Sequence, residues 1–291
     1  MAPKRVRNGE LINSGAVADA TPFSITCDMV GEQYADEDVY EARPLGEVVL
    51  ELDRLTSTGF RDVSLTLRRG EIVALTGLAG SGASEVMQAV FGALPILGGE
   101  IRMHGKAVHG HIPAFMRRGI GMLPTNRKEN SVIPDTTVLE NQYLAEHSLS
   151  ARHQWINTKR EIAQYENLRD ALNIRGRGPG AAITSLSGGN QQKVFLARWL
   201  NTDAEILLLD NPTQGVDVGA KEEIYGLILK LATAGKTVVI NTLEIPEIQK
   251  VSDRCLVLYA GRVVAVLAHD EINERDVMLY STNAMNAAEG D

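Results

Sequence analysis

The chain has 291 residues, of which 44% are hydrophobic, and a formal net charge of −8 from 37 acidic and 29 basic side chains. This size and composition predict a folded globular protein of one large or two modest domains. The acidic balance argues against nucleic acid as the main partner, because a phosphate backbone needs a broad basic surface. Two cysteines are too few for a disulfide framework, and the sequence has no apolar run long enough for a membrane span.

The two ends of the chain share a faint repeat. Residues 7–15 (RNGELINSG) and residues 260–280 (AGRVVAVLAHDEINERDVMLY) both place a short strand after a tight glycine turn. If the repeat is real, residues 1–31 are the tail of a preceding domain. Residues 32–46 are acidic and lack apolar periodicity, which predicts a linker.

The main domain is expected over residues 47–283, followed by a flexible tail at 284–291. Short β-branched and apolar runs predict its first strands at 48–53, 63–67 and 71–76. A glycine-rich stretch at 77–82 comes next, and a helix is expected from about 84 to 91, ending at Gly92.

From about residue 114 to 185 the pattern becomes polar and helix-like. In TKREIAQYENLRDALNI the apolar residues Ile162, Tyr165, Leu168 and Leu172 fall on one helical face, which predicts a helical subdomain. Short apolar runs then return at 206–210, 237–241 and 255–259, separated by helical segments such as 219–233. Such spacing is typical of a buried, mostly parallel sheet, so the predicted fold class is α/β.

The stretch Gly77–Ser84 (GLAGSGAS) has the outline of a phosphate-binding loop. In such a loop, backbone N–H groups and a helix N-terminus surround the phosphates, a lysine reaches them, and a hydroxyl holds Mg²⁺. The glycines and Ser84 fit this pattern, but Ala83 stands where the lysine is expected. Taken alone, the stretch is about equally typical of a structural glycine turn.

A second motif follows the helical region. Residues 186–192 (LSGGNQQ) open a helix, and we expect Ser187 to cap it while free N–H groups face an anion. Further along, the apolar run 206–210 ends in Asp210, a carboxylate suited to a Mg²⁺ shell. The two motifs together favour a nucleotide site.

LSGGNQQ, LLLDNPT (207–213), GVDVGAK (215–221) and the glycine loop resemble the motifs of the ATP-binding-cassette ATPases. The resemblance covers about 46–283 and implies a P-loop NTPase fold, with a mixed sheet core, helices, a helical subdomain and an antiparallel β edge. LSGGNQQKV, GVDVGAKEEIY and LEIPEIQKVSDR look closer still to the second half of the tandem ATPases of ribose- and galactose-type sugar importers. In that family residues 1–31 would be the end of the first cassette.

The resemblance implies ATP and Mg²⁺ as ligands, with the metal held at Ser84 and Asp210. It also implies a signature motif that acts on the nucleotide of a partner cassette, and a D-loop after the Mg²⁺ aspartate. The nucleotide-binding group is Gly77, Leu78, Ala79, Gly80, Ser81, Gly82, Ala83, Ser84, Glu85 and Asp210; the signature is Leu186, Ser187, Gly188, Gly189, Asn190, Gln191 and Gln192; the D-loop is Gly215, Val216 and Asp217.

Four positions depart from the family pattern. Asn211 stands where a glutamate orients or deprotonates the attacking water, and an amide cannot accept that proton. Ala83 removes the positive charge beside the phosphates. Leu243 occupies the place of the switch histidine, and Thr125 that of the Q-loop residue that links nucleotide to permease.

These losses fall on the chain's own site and spare LSGGNQQ. Because cassettes of this family dimerise head to tail, we expect this chain to lend its signature to a competent site on a first cassette. Its own site is expected to bind poorly or hydrolyse slowly, so whether the chain alone is an active enzyme stays open. The implied partners are that first cassette, membrane permease subunits and, indirectly, an extracellular solute-binding protein. The implied location is the cytoplasmic face of the membrane.

Three alternatives remain. The chain could be a catalytically inactive regulatory cassette, or the ATPase of a nucleoside rather than a sugar importer. Cassette proteins of chromosome maintenance or of ribosomes form another class. The chromosome-maintenance proteins need a coiled coil between Thr125 and Ser187, and no heptad run is present there. The ribosome-associated cassette proteins are usually basic, unlike this acidic chain.

Overall fold

The computed structural model describes residues 4–7, 10–14, 40–126, 131–150 and 156–284. Strands β1 (Lys4–Arg7) and β2 (Glu10–Ser14) form an antiparallel pair. Most of the predicted preceding-domain tail, the first part of the predicted linker and nearly all of the predicted C-terminal tail lie outside the described residues.

A six-stranded sheet forms the centre of the domain. Five strands run parallel and the edge strand β12 is antiparallel to β11, in the order β12-β11-β5-β10-β9-β8. β5, β9 and β10 are buried along their whole length, which explains their continuous apolar sequences. The strands are β5 (Ile72–Thr76), β8 (Ile120–Leu123), β9 (Ile206–Asp210), β10 (Thr237–Asn241), β11 (Arg254–Tyr259) and β12 (Arg262–Ala268).

A second, antiparallel sheet has the strand order β4-β3-β6-β7. Its strands are β3 (Val48–Ser57), β4 (Phe60–Arg68), β6 (Gly98–Met103) and β7 (Lys106–Ala107). β4 alternates buried and exposed residues, as expected of a strand with one face on the core. The predicted α/β class, with a mixed sheet and an antiparallel part, is confirmed.

Eight α-helices surround the sheets in the described residues. Side chains cap the starts of several: Thr137 and Glu140 form a capping box before α3, and Asp217 accepts from Ala220 N before α6. The helices are α1 (Ala83–Val90), α2 (Ile112–Met116), α3 (Val138–Leu149), α4 (Thr158–Ala171), α5 (Gly188–Leu200), α6 (Val218–Thr233), α7 (Ile245–Val251) and α8 (Glu274–Ser281).

The helical region starts later than the predicted 114–185. β8 lies inside that range and pairs in parallel with β9 of the central sheet. The four residues of β8 are too few to stand out against the polar sequence around them, and only sheet pairing reveals the strand. In α4, Tyr165 is buried while Ile162 is exposed, so the predicted apolar face is narrower than its sequence pattern.

The end of the predicted linker is fixed to the domain. Arg43 donates from Nε to Gly70 O at 2.7 Å and from Nη2 to Asp253 Oδ2 at 2.5 Å, and Tyr40 donates to Asp253 Oδ1 at 3.0 Å. Asp253 also accepts from Ile72 N at 2.7 Å, and Tyr40 stacks on His269 with 3.5 Å between ring centroids. Residues 40–46 therefore form an anchored strap, which the acidic composition of 32–46 did not indicate.

Removing the arginine of this strap is expected to destabilise the domain. The Arg43 and Asp253 side chains are 9% and 11% exposed, so Arg43→Ala leaves a nearly buried carboxylate without its cation, a loss of about 3 kcal/mol in the free energy of unfolding. Arg262→Ala, which removes the exposed pair with Asp62, is the matched control and should change stability by less than about 0.5 kcal/mol. Urea denaturation of both variants measures the difference, and equal effects would contradict the anchoring role.

Candidate functional site

The glycine loop connects the carboxyl end of β5 to the start of α1. Leu78, Ala79 and Gly80 are exposed, whereas Ser81 is buried and accepts from Gly261 N at 2.9 Å. Gly82 is the N-cap residue of α1. A loop of this shape presents the free N–H groups at the beginning of α1, an arrangement that binds phosphate.

Two glycines of the loop cannot be replaced without displacing the backbone. A Cβ on Gly77 would lie 2.3 Å from Leu258 O, which belongs to the neighbouring strand β11. Gly82 has φ 99°, and a Cβ there would lie 2.8 Å from Gly59 O. The loop is thus held between the β3–β4 turn and the β11–β12 turn, and its path is set by packing on both sides.

Asp210, at the end of β9, is the buried carboxylate of the site. Its Oδ2 accepts from Ser84 Oγ at 2.9 Å, and its Oδ1 accepts from Asn241 Nδ2 at 2.7 Å and Asn211 Nδ2 at 3.0 Å. Burial raises the pKa of Asp210, while these hydrogen bonds oppose the rise. The structure therefore brings together the two predicted metal-binding residues, Ser84 and Asp210. Asn241 was not among the residues predicted from the sequence.

The Asn211 side chain lies between Asp210 and Thr125. Its Nδ2 is 3.5 Å from Thr125 Oγ1, and that hydroxyl donates to Gln214 Oε1 at 3.4 Å. Asn211 has φ 51°, a left-handed conformation that asparagine tolerates better than most residues. Thr125 and Asn211, predicted separately, are therefore neighbours beside Asp210.

LSGGNQQ begins α5, as predicted, but Ser187 is not its side-chain cap. The Ser187 hydroxyl accepts from Asn190 Nδ2 at 2.9 Å, while Asn190 Oδ1 accepts from Arg175 N at 2.6 Å. Ser187 is the N-cap residue of α5, as predicted, but its hydroxyl bonds to the Asn190 amide and makes no capping hydrogen bond to a backbone N–H. Ser187 itself is exposed, so the start of α5 faces outward.

The signature helix packs on the segment that follows Asp210. Gln192 donates from Nε2 to Pro212 O at 2.6 Å. A Cβ on Gly189 would lie 2.6 Å from Ala220 Cβ and 3.5 Å from Val216 Cγ1. Gly189 thus permits close contact between α5, the D-loop and the start of α6, where Asp217 is the N-cap.

Leu243, at the predicted switch position, is 58% exposed. It follows β10 and precedes α7, and its neighbour Thr242 is buried and donates its backbone N–H to Leu75 O at 3.3 Å. An aliphatic side chain cannot donate a hydrogen bond to a phosphate. This position supplies no polar group to the site.

A buried acid that sequence analysis missed connects α7 to the segment after β9. Glu247 Oε1 accepts from Thr213 Oγ1 at 3.0 Å. Burial raises the pKa of Glu247 to about 7, with Glu244 adding to the rise and Lys221 opposing it. Thr213 lies between Asn211 and Gly215, so this hydrogen bond joins α7 to the segment that follows β9.

Glu247 should make the stability of the domain depend on pH. At pH values between 4.5, its ordinary pKa, and about 7, the Glu247 carboxyl is protonated in the folded protein and ionised in the unfolded protein. The free energy of unfolding that Glu247 contributes is therefore lost as the pH rises through this range. Glu247→Gln removes this titration, so between pH 5 and pH 8 the free energy of unfolding of the variant should rise by about 2 kcal/mol relative to that of the wild type. Thermal unfolding of both proteins across this pH range measures the difference, and parallel curves would refute it.

A cleft of about 750 Å³ opens beside the site. Trp199, Met122, Leu144 and Ala145 form part of its apolar wall, and Thr125 reaches into it. The cleft is where the central sheet meets α3 and α5. Thr125 therefore contacts both the cleft and the Asp210 network.

Aromatic and histidine residues near the loop have structural roles. Phe60 is buried, and Trp199 is buried in an edge contact with Phe91, so both are packing residues. His104 pairs with Glu205 at 2.9 Å. Across the described ranges, the side chains of His, Cys, Asp and Glu form no group of three suited to a metal.

The residues present fit a nucleotide with a magnesium ion. Mg²⁺ takes one or two protein oxygens and completes its shell with phosphate and water, and Ser84 Oγ and the Asp210 carboxylate are such oxygens. The free N–H groups at the start of α1 fit phosphate. The lysine charge is missing at Ala83, so the fit is incomplete for the phosphates.

This arrangement defines a P-loop nucleotide-binding protein. The sequence matches the ABC transporter family over residues 60–214, more than half of the chain. The chain therefore belongs to the ABC transporter family. Of the helices that the structure describes, none has the length and apolar character needed to cross a bilayer.

Two relatives named as sugar-import proteins match most of the chain. The ribose import ATP-binding protein RbsA of Halalkalibacterium halodurans is 36% identical over 280 residues, covering 95% of this chain and 56% of that protein. The arabinose import ATP-binding protein AraG of Vibrio parahaemolyticus is 39% identical over 269 residues, covering 89% of this chain and 52% of that protein. The chain thus spans about half the length of these relatives.

Solved structures show the same fold. A nucleotide-free ATP-binding cassette from an ABC transporter superposes with a TM-score of 0.69 at 21% identity, covering 80% of this chain and 95% of that one. The ATP-binding cassette MJ0796, a dimer in a post-hydrolysis state bound to ADP and phosphate, gives a TM-score of 0.66 at 25% identity, covering 76% and 98%. The predicted ATP-binding-cassette fold is confirmed.

Proposed function

We propose that this chain is an ATP-binding part of an ABC importer for a sugar such as ribose or arabinose. ATP with Mg²⁺ binds against Gly77–Ser84, with Ser84 and Asp210 toward the metal. The observation that carries the proposal is the Ser84–Asp210 contact at the end of a glycine loop, in a chain that matches sugar-import ATP-binding proteins over 95% of its length.

The second part of the proposal is that the two sites of a cassette dimer are unequal. Three groups are missing from the chain's own site. Ala83 supplies no cation, Asn211 supplies no base, and Leu243 supplies no hydrogen-bond donor at the switch position. LSGGNQQ keeps its glycines, and Gly189 and Gln192 pack closely on the segment after Asp210. The chain lends this motif to a competent site on a first cassette, of which residues 1–31 are the tail in a tandem protein.

The proposed membrane partner is a permease that binds in the 750 Å³ cleft. The cleft wall is largely apolar, which suits a helix presented by a membrane protein, and Thr125 lies 3.5 Å from Asn211. A segment that displaced Thr125 would disturb the Asp210 network directly. In this proposal the chain lies on the cytoplasmic face of the membrane, and a solute-binding protein acts on the far side.

Sugar uptake in cells tests the proposal. Deleting the gene should abolish uptake of radiolabelled ribose, arabinose or galactose, and the intact gene should restore it while a Gly77→Val copy should not, because Gly77 has no room for a side chain. Loss of nucleoside uptake instead would identify a nucleoside importer. Unchanged uptake of all these solutes would contradict the importer assignment.

Ala83 and Asn211 also favour a second candidate, a regulatory cassette without catalysis. Calorimetry with ATP and Mg²⁺ separates the two. The importer proposal expects heat of binding when the first cassette is present, because the composite site then forms. No heat at millimolar nucleotide, with or without that cassette, would support the regulatory candidate.

A further inference from the structure

The side chain of Asn190 lies between the first turn of α5 and the segment that follows α4. Its Oδ1 accepts from Arg175 N at 2.6 Å, and its Nδ2 donates to Ser187 Oγ at 2.9 Å. Because a backbone N–H can only donate, the oxygen of the amide faces Arg175 and the nitrogen faces Ser187. The backbone at residue 175 therefore determines which end of the Asn190 amide meets the Ser187 hydroxyl.

This contact makes the Ser187 hydroxyl a hydrogen-bond donor. A hydroxyl has one proton and two lone pairs, and the Asn190 amide occupies one of the lone pairs. The proton therefore points away from Asn190. Among the residues that the structure describes, none accepts this proton, and Ser187 is exposed. The proton is thus available to an acceptor that approaches the start of α5.

The same contact leaves the first N–H groups of α5 without a cap. Ser187 is the N-cap residue, but its hydroxyl accepts from no backbone N–H. Within the described ranges, the N–H groups of Gly188, Gly189 and Asn190 have no backbone acceptor. The first backbone bond of the helix runs from Gln191 N to Ser187 O at 2.9 Å. Hydroxyl and backbone donors therefore occur together at this helix start, an arrangement that suits an anion.

We propose that Asn190 is a positioning residue of the signature. It holds the Ser187 hydroxyl as a donor toward the phosphate of a first cassette's nucleotide, and it keeps that hydroxyl from capping α5. The inference rests on the proposed function, since it assumes that LSGGNQQ faces the nucleotide of a first cassette. Asn190 acts through Ser187 and needs no contact of its own with the nucleotide.

Aspartate and alanine at position 190 provide the test. Asn190→Asp has the same shape and keeps an oxygen for Arg175 N, but its other oxygen accepts the Ser187 proton and turns it away from the phosphate. Asn190→Ala removes both contacts and leaves the hydroxyl able to donate. In the proposed two-cassette protein, ATP turnover should fall about tenfold or more with aspartate, the effect of one hydrogen bond to a charged group, and about threefold with alanine.

A role confined to packing predicts the opposite order. The aspartate variant keeps the hydrogen bond from Arg175 N, and an acid in the first turn stabilises a helix. Its melting temperature should therefore equal or exceed that of the alanine variant, which thermal unfolding measures. If Asn190 only supported α5, the aspartate variant would also turn over ATP at least as fast as the alanine variant, and that result would overturn the inference.

Ser187→Ala separates the effect of the hydroxyl from that of the new charge. The carboxylate of Asn190→Asp also repels phosphate, so its effect is measured again in a protein that carries Ser187→Ala. With the hydroxyl removed, Asn190→Asp should lower turnover by less than about threefold, because the two residues act as a unit. An equal loss with and without the hydroxyl would mean that charge alone acts, and would overturn the inference.

Two further measurements complete the experiment. Asn167→Asp, which adds the same charge at an exposed position of α4, is the matched control and should keep full turnover. Ser187→Ala alone should lower turnover by about tenfold or more. Full turnover in that variant would overturn the proposed role of LSGGNQQ itself, whereas the outcomes for Asn190 concern the inference alone.

Discussion

Ser187→Arg is expected to lower ATP turnover of the proposed two-cassette protein by about 10²-fold or more, because it blocks the signature from the partner's nucleotide. Ser187 is exposed at the start of α5, a helix of 13 residues whose dipole and first N–H groups attract an anion. An arginine there fills the space in which the γ-phosphate of the partner cassette would lie. ATP binding to that cassette should survive, since its own loop is unchanged. Phosphate release and nucleotide binding by the intact protein measure the two effects separately.

Thr233→Arg is the control for this substitution. Thr233 is exposed at the far end of α6, so the same side chain is added away from the signature. The control should keep its full turnover. If Ser187→Arg also kept full turnover, the division of labour between the two cassettes would be refuted, and the signature of this chain would have no part in hydrolysis.

The glycine loop and the strand that ends in Asp210 could be predicted because their signals are local. A buried strand, a glycine turn and a helix follow one another between Ile72 and Val90, and each has its own sequence pattern. The contact between Ser84 and Asp210 spans 126 positions but was implied by the family resemblance. Local pattern and resemblance together were sufficient for the core of the site.

The remaining features depend on contacts that no sequence pattern records. Asn241 is an ordinary polar residue at a strand end until the sheet order places β10 between β5 and β9. Arg43 and Asp253 are 210 positions apart, so the strap could not be told from a linker. Ser187 is the N-cap residue as predicted, but its hydroxyl bonds to the amide of Asn190 and not to a backbone N–H, a side-chain contact that the sequence does not record.

Restoring a base and a cation at the chain's own site should create hydrolysis there. The double variant Asn211→Glu, Ala83→Lys is expected to raise ATP turnover at this site by about 10²-fold or more, since a positioned general base contributes about 10²–10⁴ in rate. The new carboxylate lies next to Asp210, and repulsion between two acids raises the pKa of one of them, which favours proton transfer near neutral pH. The lysine at the start of α1 offsets the phosphate charge.

To isolate this site, turnover is measured in the tandem protein whose first cassette is inactivated. Asn211→Gln with Ala83→Lys is the matched control, because glutamine has the length of glutamate but cannot accept the proton. Both variants place a longer side chain at φ 51°, at a similar cost of about 1 kcal/mol, so their stabilities should agree. The glutamate variant alone should hydrolyse ATP. Equal low rates in both variants would show that Leu243 or Thr125, and not the missing base, limits the chemistry of this site.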